Sequence, residues 1–165
     1  MGHDLKNLVV QAAEGCDSIS IRQLAIDVNI DAWSEADYSV EISRTDSFVL
    51  KATNDTGLAG FVLARIVPGT TESLDAEIYN VAVAPDSSRR GIGTTLLVAL
   101  LAQLAKRNVS NVWLEVRESN SAAIAFYEHQ GFTAELTRPN FYANPPENAV
   151  IMRLRMGQKP EVSEA

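Results

Sequence analysis

The stretch Val81-Ala82-Val83-Ala84-Pro85-Asp86-Ser87-Ser88-Arg89-Arg90-Gly91-Ile92-Gly93-Thr94 is the part of this sequence best equipped for chemistry, because an apolar strand passes through a glycine-containing turn into a leucine-rich helix. The first amides of a helix have no partner within it and carry about half a positive charge, so such a junction suits an anion. Gly91 and Gly93 let a phosphate approach the backbone, and Arg89 and Arg90 add cationic side chains in an otherwise acidic chain. A lone G-x-G also fits an ordinary strand-to-helix turn with solvated arginines. Gly91-Ile92-Gly93 is neither the dinucleotide-binding G-x-G-x-x-G nor a Walker loop, so those two readings lose support.

The elements around this junction follow from periodicity. Ala76 to Val83 reads as a strand closed by Ala84-Pro85-Asp86, since proline cannot donate to a ladder. From Gly93 to Arg107 the leucines at 96, 97, 100, 101 and 104 repeat with helical period, and the cations Lys106 and Arg107 sit at the negative helix end. Ser110 to Arg117 alternates, with Val112, Leu114 and Val116 on one strand face and Trp113, Glu115 and Arg117 on the other. Asn120-Ser121 opens a helix through Tyr127 that stops at Gly131.

Upstream, Leu8 to Ala12 suits a first strand. Asp17-Ser18 offers an N-cap for a helix carrying Ile19, Ile21, Leu24, Ile26 and Val28, and Ser34 caps a shorter helix through Glu41. Phe48-Val49-Leu50 and Leu58 to Val67 flank the turn Asn54-Asp55-Thr56-Gly57, which predicts a hairpin. Two final strands, near Phe132 to Thr137 and Ala149 to Arg155, bracket a proline-rich loop from Pro139 to Pro146. The sum is an α/β (α+β) fold, a mixed, mostly antiparallel twisted sheet flanked by helices.

The 165 residues suit one domain, expected over residues 1–156, followed by a polar tail at 157–165 that is expected to fray. Fourteen Lys plus Arg against 21 Asp plus Glu leave a net charge of −7, which disfavours nucleic acid and favours a cationic partner. One cysteine, Cys16, and two histidines, His3 and His129, exclude a disulfide within the chain and leave no cluster with zinc-ligand spacing. Cys16 reads as a small buried apolar residue and His129 as a surface helix residue. The apolar run Leu96 to Ala105 falls well short of the ~20 residues a membrane span needs, and no apolar signal segment follows Met1. These features predict a cytoplasmic, metal-free protein with no membrane partner, monomeric or homodimeric.

Around the glycine turn stand further elements: Leu114-Glu115-Val116-Arg117, Asn120-Ser121-Ala122-Ala123-Ile124-Ala125-Phe126-Tyr127 and Gly131-Phe132. Their order and spacing resemble the GNAT superfamily of acetyl-CoA-dependent N-acetyltransferases, and within it the RimI-type ribosomal-protein-alanine acetyltransferases. The likeness is densest from Glu77 to Met152, with an echo at Trp33-Ser34-Glu35. It implies that the backbone of Val81, Ala82 and Val83 meets the pantetheine arm and acetyl carbonyl of acetyl-CoA. It further implies that Arg89, Arg90, Gly91, Ile92, Gly93 and Thr94 surround the pyrophosphate and that Asn120 meets the amide arm. Glu115 is then the general base and Tyr127 the general acid. Trp33, Glu77, Tyr79, Arg138 and Tyr142 fall on the peptide side, and Glu77 is the second candidate for the base.

The implied reaction needs such groups. An α-amine titrates near pH 7.7–8.0, so it must shed a proton to attack a thioester, and the departing thiolate gains from a nearby phenol. Read without the resemblance, Glu115 is a solvent-facing carboxylate beside Arg117, and Tyr127 is a helix aromatic whose hydroxyl finds a backbone partner. The sequence also departs from the family pattern. Ser88 stands where Gln or Arg is usual, Ala32 replaces a proline before Trp33, Phe141-Tyr142 replaces a tyrosine pair, and Asn148 replaces an acid. The expected activity is acetyl transfer to the α-amine of a protein N-terminus, that of a basic ribosomal protein. The alternatives are acetylation of a small amine or lysine side chain, and a non-catalytic acetyl-CoA-binding module.

Overall fold

A computed structural model describes residue 5, residues 7–30 and residues 33–157. Its seven strands form one sheet in the order β1-β2-β3-β4-β5-β7-β6. They are β1 (Val9–Ala12), β2 (Ser47–Asn54), β3 (Gly57–Pro68), β4 (Leu74–Val83), β5 (Val109–Arg117), β6 (Thr133–Ala143) and β7 (Pro146–Arg155). The helices are α1 (Ser18–Asp27), α2 (Glu35–Ser43), α3 (Ile92–Lys106) and α4 (Ser121–His129). The β1/β2, β2/β3, β5/β7 and β6/β7 pairs are antiparallel, as a mostly antiparallel mixed sheet requires. Contacts gather the chain into two compact units, one of Met1–Arg65 and Ile78–Gln103, the other of Ile66–Glu77 and Leu104–Ala165.

In the first unit the β2–β3 hairpin forms where its turn residues stand. Asn54 Oδ1 accepts from the Thr56 amide at 3.0 Å and its hydroxyl at 2.7 Å, and Gly57 takes φ +121°, a conformation closed to most side chains. Ile21, Leu24 and Ala25 of α1 and Tyr38 of α2 pack with Val49, Phe61, Leu63 and Ala82 of the sheet. Ser34 caps α2 as expected, in a reciprocal box with Asp37. Asp17 stands at the α1 N-cap but its carboxylate does not cap; it accepts instead from Lys51 Nζ at 2.7 Å, which ties the helix entrance to β2. Ile19 and Ile26, two of the apolar residues that suggested α1, are exposed, because a 3.6-residue period carries both away from Ile21 and Ala25. Cys16 is also exposed rather than buried, in a 3-10 turn over Gly15–Asp17 that presents no buried residue.

The second unit is built on β5, whose Val112, Leu114 and Val116 are buried while Glu115 faces out, as the alternation required. Asn120 caps α4 by accepting from the Ala123 amide at 3.1 Å, and Gly131 turns the chain after it at φ +99°. The expected loop from Pro139 to Pro146 is mostly strand, with only Asn144 and Pro145 between β6 and β7. β6 is the outer strand of the sheet, so Pro139 removes no ladder bond on its open side. A register shift between Arg138 and Tyr142, with Asn140 at φ +52°, absorbs the irregularity. No helix among the described residues is long and apolar enough to cross a membrane. Residues 158–165, most of the expected tail, lie outside the described part, as does Ala32.

Candidate functional site

The strand-to-helix junction lies within the first unit. Ala82 is buried, Val81 and Val83 are half-buried, and the Ala84 amide closes the strand on Ala59 O at 2.8 Å. A 3-10 turn over Pro85–Ser87 follows, and the Ser88 hydroxyl donates to Pro85 O at 3.0 Å, which commits it to the turn itself. Arg89 at φ +61° and Gly91 at φ +79° are both left-handed, so the chain doubles back sharply before α3 begins at Ile92. The Thr95 amide bonds Gly91 O at 2.9 Å and begins the helical ladder. The amides of Ile92, Gly93 and Thr94 therefore lie at the positive end of α3, with the exposed Arg89 and Arg90 on the preceding turn. Backbone donors beside two guanidinium groups are a donor set that fits a diphosphate.

Close packing holds this junction in place. An added Cβ at Gly60 on β3 would stand 2.8 Å from Ala82 O, 3.0 Å from Leu96 Cδ1 and 3.3 Å from Ile92 Cγ2. Only a glycine lets β3, β4 and the start of α3 approach so closely. In the same unit Trp33 stacks on Tyr38 with centroids 5.7 Å apart and tilts against Tyr79 at 5.7 Å. Tyr38 is fully buried and its hydroxyl donates to Asn80 Oδ1 at 3.0 Å. Arg65 lies 5.4 Å over the Tyr79 ring and forks onto Glu41, whose side chain is only 3% exposed. Trp33 and Tyr79, two of the expected peptide-side residues, thus stand together. Trp33 also lines a cleft of about 320 Å³ with Asp37, Val40, Glu41, Arg44 and Arg65.

The second unit holds the titratable candidates. Glu115 projects from the outward face of β5 with its side chain 40% exposed, and Arg138 Nη1 on β6 donates to its Oε1 at 3.4 Å. Arg117, the nearer cation in sequence, is not its partner. Partial burial raises the Glu115 carboxyl above its ordinary value; Arg138 pulls it back and the Glu77 carboxylate pushes it up further. Glu77, the other candidate base, therefore bears on the charge of Glu115. A carboxylate with raised proton affinity and open access to solvent is suited to accept a proton.

Tyr127 packs its ring against Phe126 at 5.2 Å and Phe132 at 5.6 Å. Desolvation, with a smaller push from Tyr142, drives its hydroxyl up to about 12. The phenol stays protonated at neutral pH and so has a proton to donate. Asn120 commits its Oδ1 to the α4 cap, so its side-chain amide nitrogen is what remains for a ligand carbonyl.

Sequence reasoning missed the network that secures the β6–β7 hairpin. Arg117 Nη1 donates to Pro145 O at 3.2 Å and Glu147 Oε2 at 3.3 Å, Nη2 donates to Asn144 O at 3.2 Å, and the guanidinium lies 4.2 Å over the Tyr142 ring. Glu147 Oε1 accepts from the Ser119 amide at 2.6 Å, and Asn148 joins Glu118 Oε2 at 3.1 Å to the Asn140 amide at 3.1 Å. Asp75, 5% exposed, accepts from Asn111 Nδ2 at 3.0 Å and Trp113 Nε1 at 2.9 Å. Apart from Asn140 and Asn148, these hydrogen-bond partners lie 27 to 38 residues apart along the chain, beyond the reach of any local pattern. Among the described residues no cluster of His, Cys, Asp and Glu could hold a metal ion.

The chain is similar to proteins of known activity. It is 40% identical over 125 residues to the [Ribosomal protein bS18]-alanine N-acetyltransferase of Escherichia coli, covering 74% of this chain and 80% of that relative. With the protein of the same description from Salmonella typhimurium it shares 44% identity over 107 residues, 64% of this chain and 69% of the relative. The crystal structure of the ribosomal-protein-S18-alanine N-acetyltransferase from Escherichia coli superposes with a TM-score of 0.80 at 31% identity, covering 94% of this chain and 97% of that one. The profile of the Acetyltransferase (GNAT) family matches residues 18–132, which span both the glycine turn and the β5–α4 segment. The chain belongs to the acetyltransferase (GNAT) family.

Proposed function

We propose that this protein transfers the acetyl group of acetyl-CoA to the α-amine of a protein N-terminus, that of a ribosomal protein, in the cytoplasm. The single observation that carries this reading is the 40% identity, over most of both chains, to an enzyme named for acetylating the alanine of ribosomal protein bS18. The net charge of −7 agrees with a basic peptide partner. Residues 1–156 work as one catalytic domain.

In this reading acetyl-CoA supplies the activated acyl group. The helix-end amides of Ile92, Gly93 and Thr94, with Arg89, Arg90 and Gly91, hold its diphosphate. The backbone of Val81, Ala82 and Val83 takes the pantetheine arm and aligns the acetyl carbonyl, and Asn120 donates to an amide of the arm. Trp33, Tyr79, Arg138 and Tyr142 receive the peptide. Glu115 accepts the proton that the amine must lose before it attacks, directly or through water. Tyr127, held protonated by burial, donates to the thiolate that leaves. Acid and base assistance of this kind contributes about 10²–10⁴ in rate.

The experiment supplies acetyl-CoA with a panel of N-terminal peptides, including an alanine-initiated basic one, beside free amines, and locates the acetyl group by mass spectrometry. Acetyl on the peptide α-amine is the expected result. Acetyl on a lysine or a small amine overturns the substrate assignment. Acetyl-CoA binding with no thiol release from any amine makes the protein a binding module. Glu115→Gln and Tyr127→Phe are each expected to lower kcat by about 10²-fold or more, and a loss under about threefold removes that residue from the chemistry.

A further inference from the structure

Asp75, Glu77 and Tyr79 alternate onto one face of β4, and Trp113, Glu115 and Arg117 onto one face of β5. The 2.9 Å bond from Trp113 Nε1 to Asp75 Oδ2 shows that these two faces coincide. Glu77 follows Asp75, and Glu115 follows Trp113, by two residues on these faces, and the Glu77 carboxylate lies near enough to act on Glu115. From β6, Arg138 touches Glu115 at 3.4 Å. Across the β5/β7 ladder Glu115 faces Ile151, which carries no charge. The neighbouring cation on its own strand, Arg117, is engaged by Glu147 and two carbonyl oxygens. Among the described residues Glu115 therefore meets one cation, on β6, and one carboxylate, on β4.

We infer that Arg138 and Glu77 are opposed positioning residues for Glu115, a cation from β6 and a carboxylate from β4 that flank the base and adjust the pH range over which the enzyme can accept the substrate's proton. This rests on Glu115 being the base. The contact itself favours such tuning over a structural role. Among the described residues Arg138 meets Glu115 through one 3.4 Å bond, with its side chain 55% exposed and 5.4 Å over the Phe141 ring, whereas the structural pair Arg65 and Glu41 is forked, and Glu41 is buried. A loose, half-solvated ion pair contributes little to folding yet still biases the charge of its partner. The directions agree: Arg138 lowers the proton affinity of Glu115 and Glu77 raises it.

The test follows kcat/KM for thiol release with acetyl-CoA and an alanine-initiated basic peptide, from about pH 5 to about pH 9, for wild type and the full-length variants R138Q, R138K, E77Q and E115Q. The peptide amine titrates identically in every assay, so the ratio of variant to wild type against pH isolates the enzyme's own group. Loss of the cation in R138Q is expected to move the acid limb up by about half a pH unit, so that the ratio falls about threefold from high to low pH. E77Q moves the limb down, and its ratio rises toward low pH. R138K keeps the charge, so its ratio to wild type stays level across the pH range whatever its absolute turnover. Flat ratios for both R138Q and E77Q, or slopes of the same sign, overturn the inference. Turnover of E77Q as low as that of E115Q also overturns it, by making Glu77 a base. If E115Q retains turnover, the base assignment itself fails, a result separate from either slope.

Discussion

The guanidinium of Arg117 lies 4.2 Å over the ring of Tyr142, while its nitrogens hold Asn144 O, Pro145 O and Glu147. One side chain from the end of the strand that carries Glu115 thus secures the hairpin that carries Arg138 and Tyr142. The planar fork suits this task, since it can bond in its plane and stack on its face at once. Replacing Arg117 with Ala frees the hairpin and is expected to raise the KM for peptide and lower kcat/KM about tenfold or more, because small displacements of positioning groups are costly. Amide exchange should quicken across residues 138–147 and stay at wild-type rates in β2 and β3. Unchanged exchange in the hairpin removes this role. Arg117→Lys, which keeps charge but not the fork, should fall between the two.

Tyr127 makes a prediction about alkaline pH. With its hydroxyl pushed up to about 12, it stays a proton donor well past neutrality and contributes no basic limb to the rate profile below about pH 10. Its folded value lies above the ordinary 10.0, so its contribution to folding is complete below that value and is lost as the pH rises toward about 12. Urea unfolding of wild type and Tyr127→Phe at rising alkaline pH checks this. Wild type should lose stability more steeply, and parallel curves exclude a buried phenol.

Gly60 stands where a side chain would collide with the neighbouring strand. A Cβ there meets the carbonyl oxygen of Ala82 at 2.8 Å, and a strand carbonyl cannot rotate away as a side chain can. Gly60→Ala is expected to destabilise by about 1–3 kcal/mol, the usual cost of forcing atoms into a filled space. Because the displaced atoms belong to the junction before α3, the KM for acetyl-CoA should rise as well. Wild-type stability by denaturant titration contradicts the packing.

Glu41 and Arg65 give the fold an acid sensitivity. Burial alone would raise the Glu41 carboxyl, but bonds from Arg65 and Ser47 and the charges of Arg65 and Arg44 outweigh it and hold the group below 4.5. A depressed carboxyl contributes stability in full above its unfolded value, and this is lost as pH falls through the folded one. Arg65→Ala strands a nearly buried carboxylate and is expected to cost about 3 kcal/mol near neutral pH. The gap between wild type and variant should narrow as pH falls from about 5 to about 3, since a protonated Glu41 has no charge to pair. A gap independent of pH means that the cost is packing alone.

Much of this protein follows from local patterns. The leucine period of α3, the alternation that turns Glu115 out of β5, the Asn120 cap and the Gly131 stop are each decided within a few residues, and the structure carries all of them. The glycine turn was legible for the same reason, as helix ends and left-handed backbone impose their residue types locally. Tertiary structure alone decided which charges meet. Glu115 pairs with Arg138, twenty-three residues away, and not with Arg117 beside it, because neighbouring strands and not neighbouring residues bring side chains together. It also turned the Pro139–Pro146 segment into paired strands, since an outermost strand has one edge whose amides need no partner, and it left Cys16, Ile19 and Ile26 exposed. Composition and period state what each segment prefers. Which face is covered, and by what, depends on elements distant in the chain, and that information enters only when the sheet assembles.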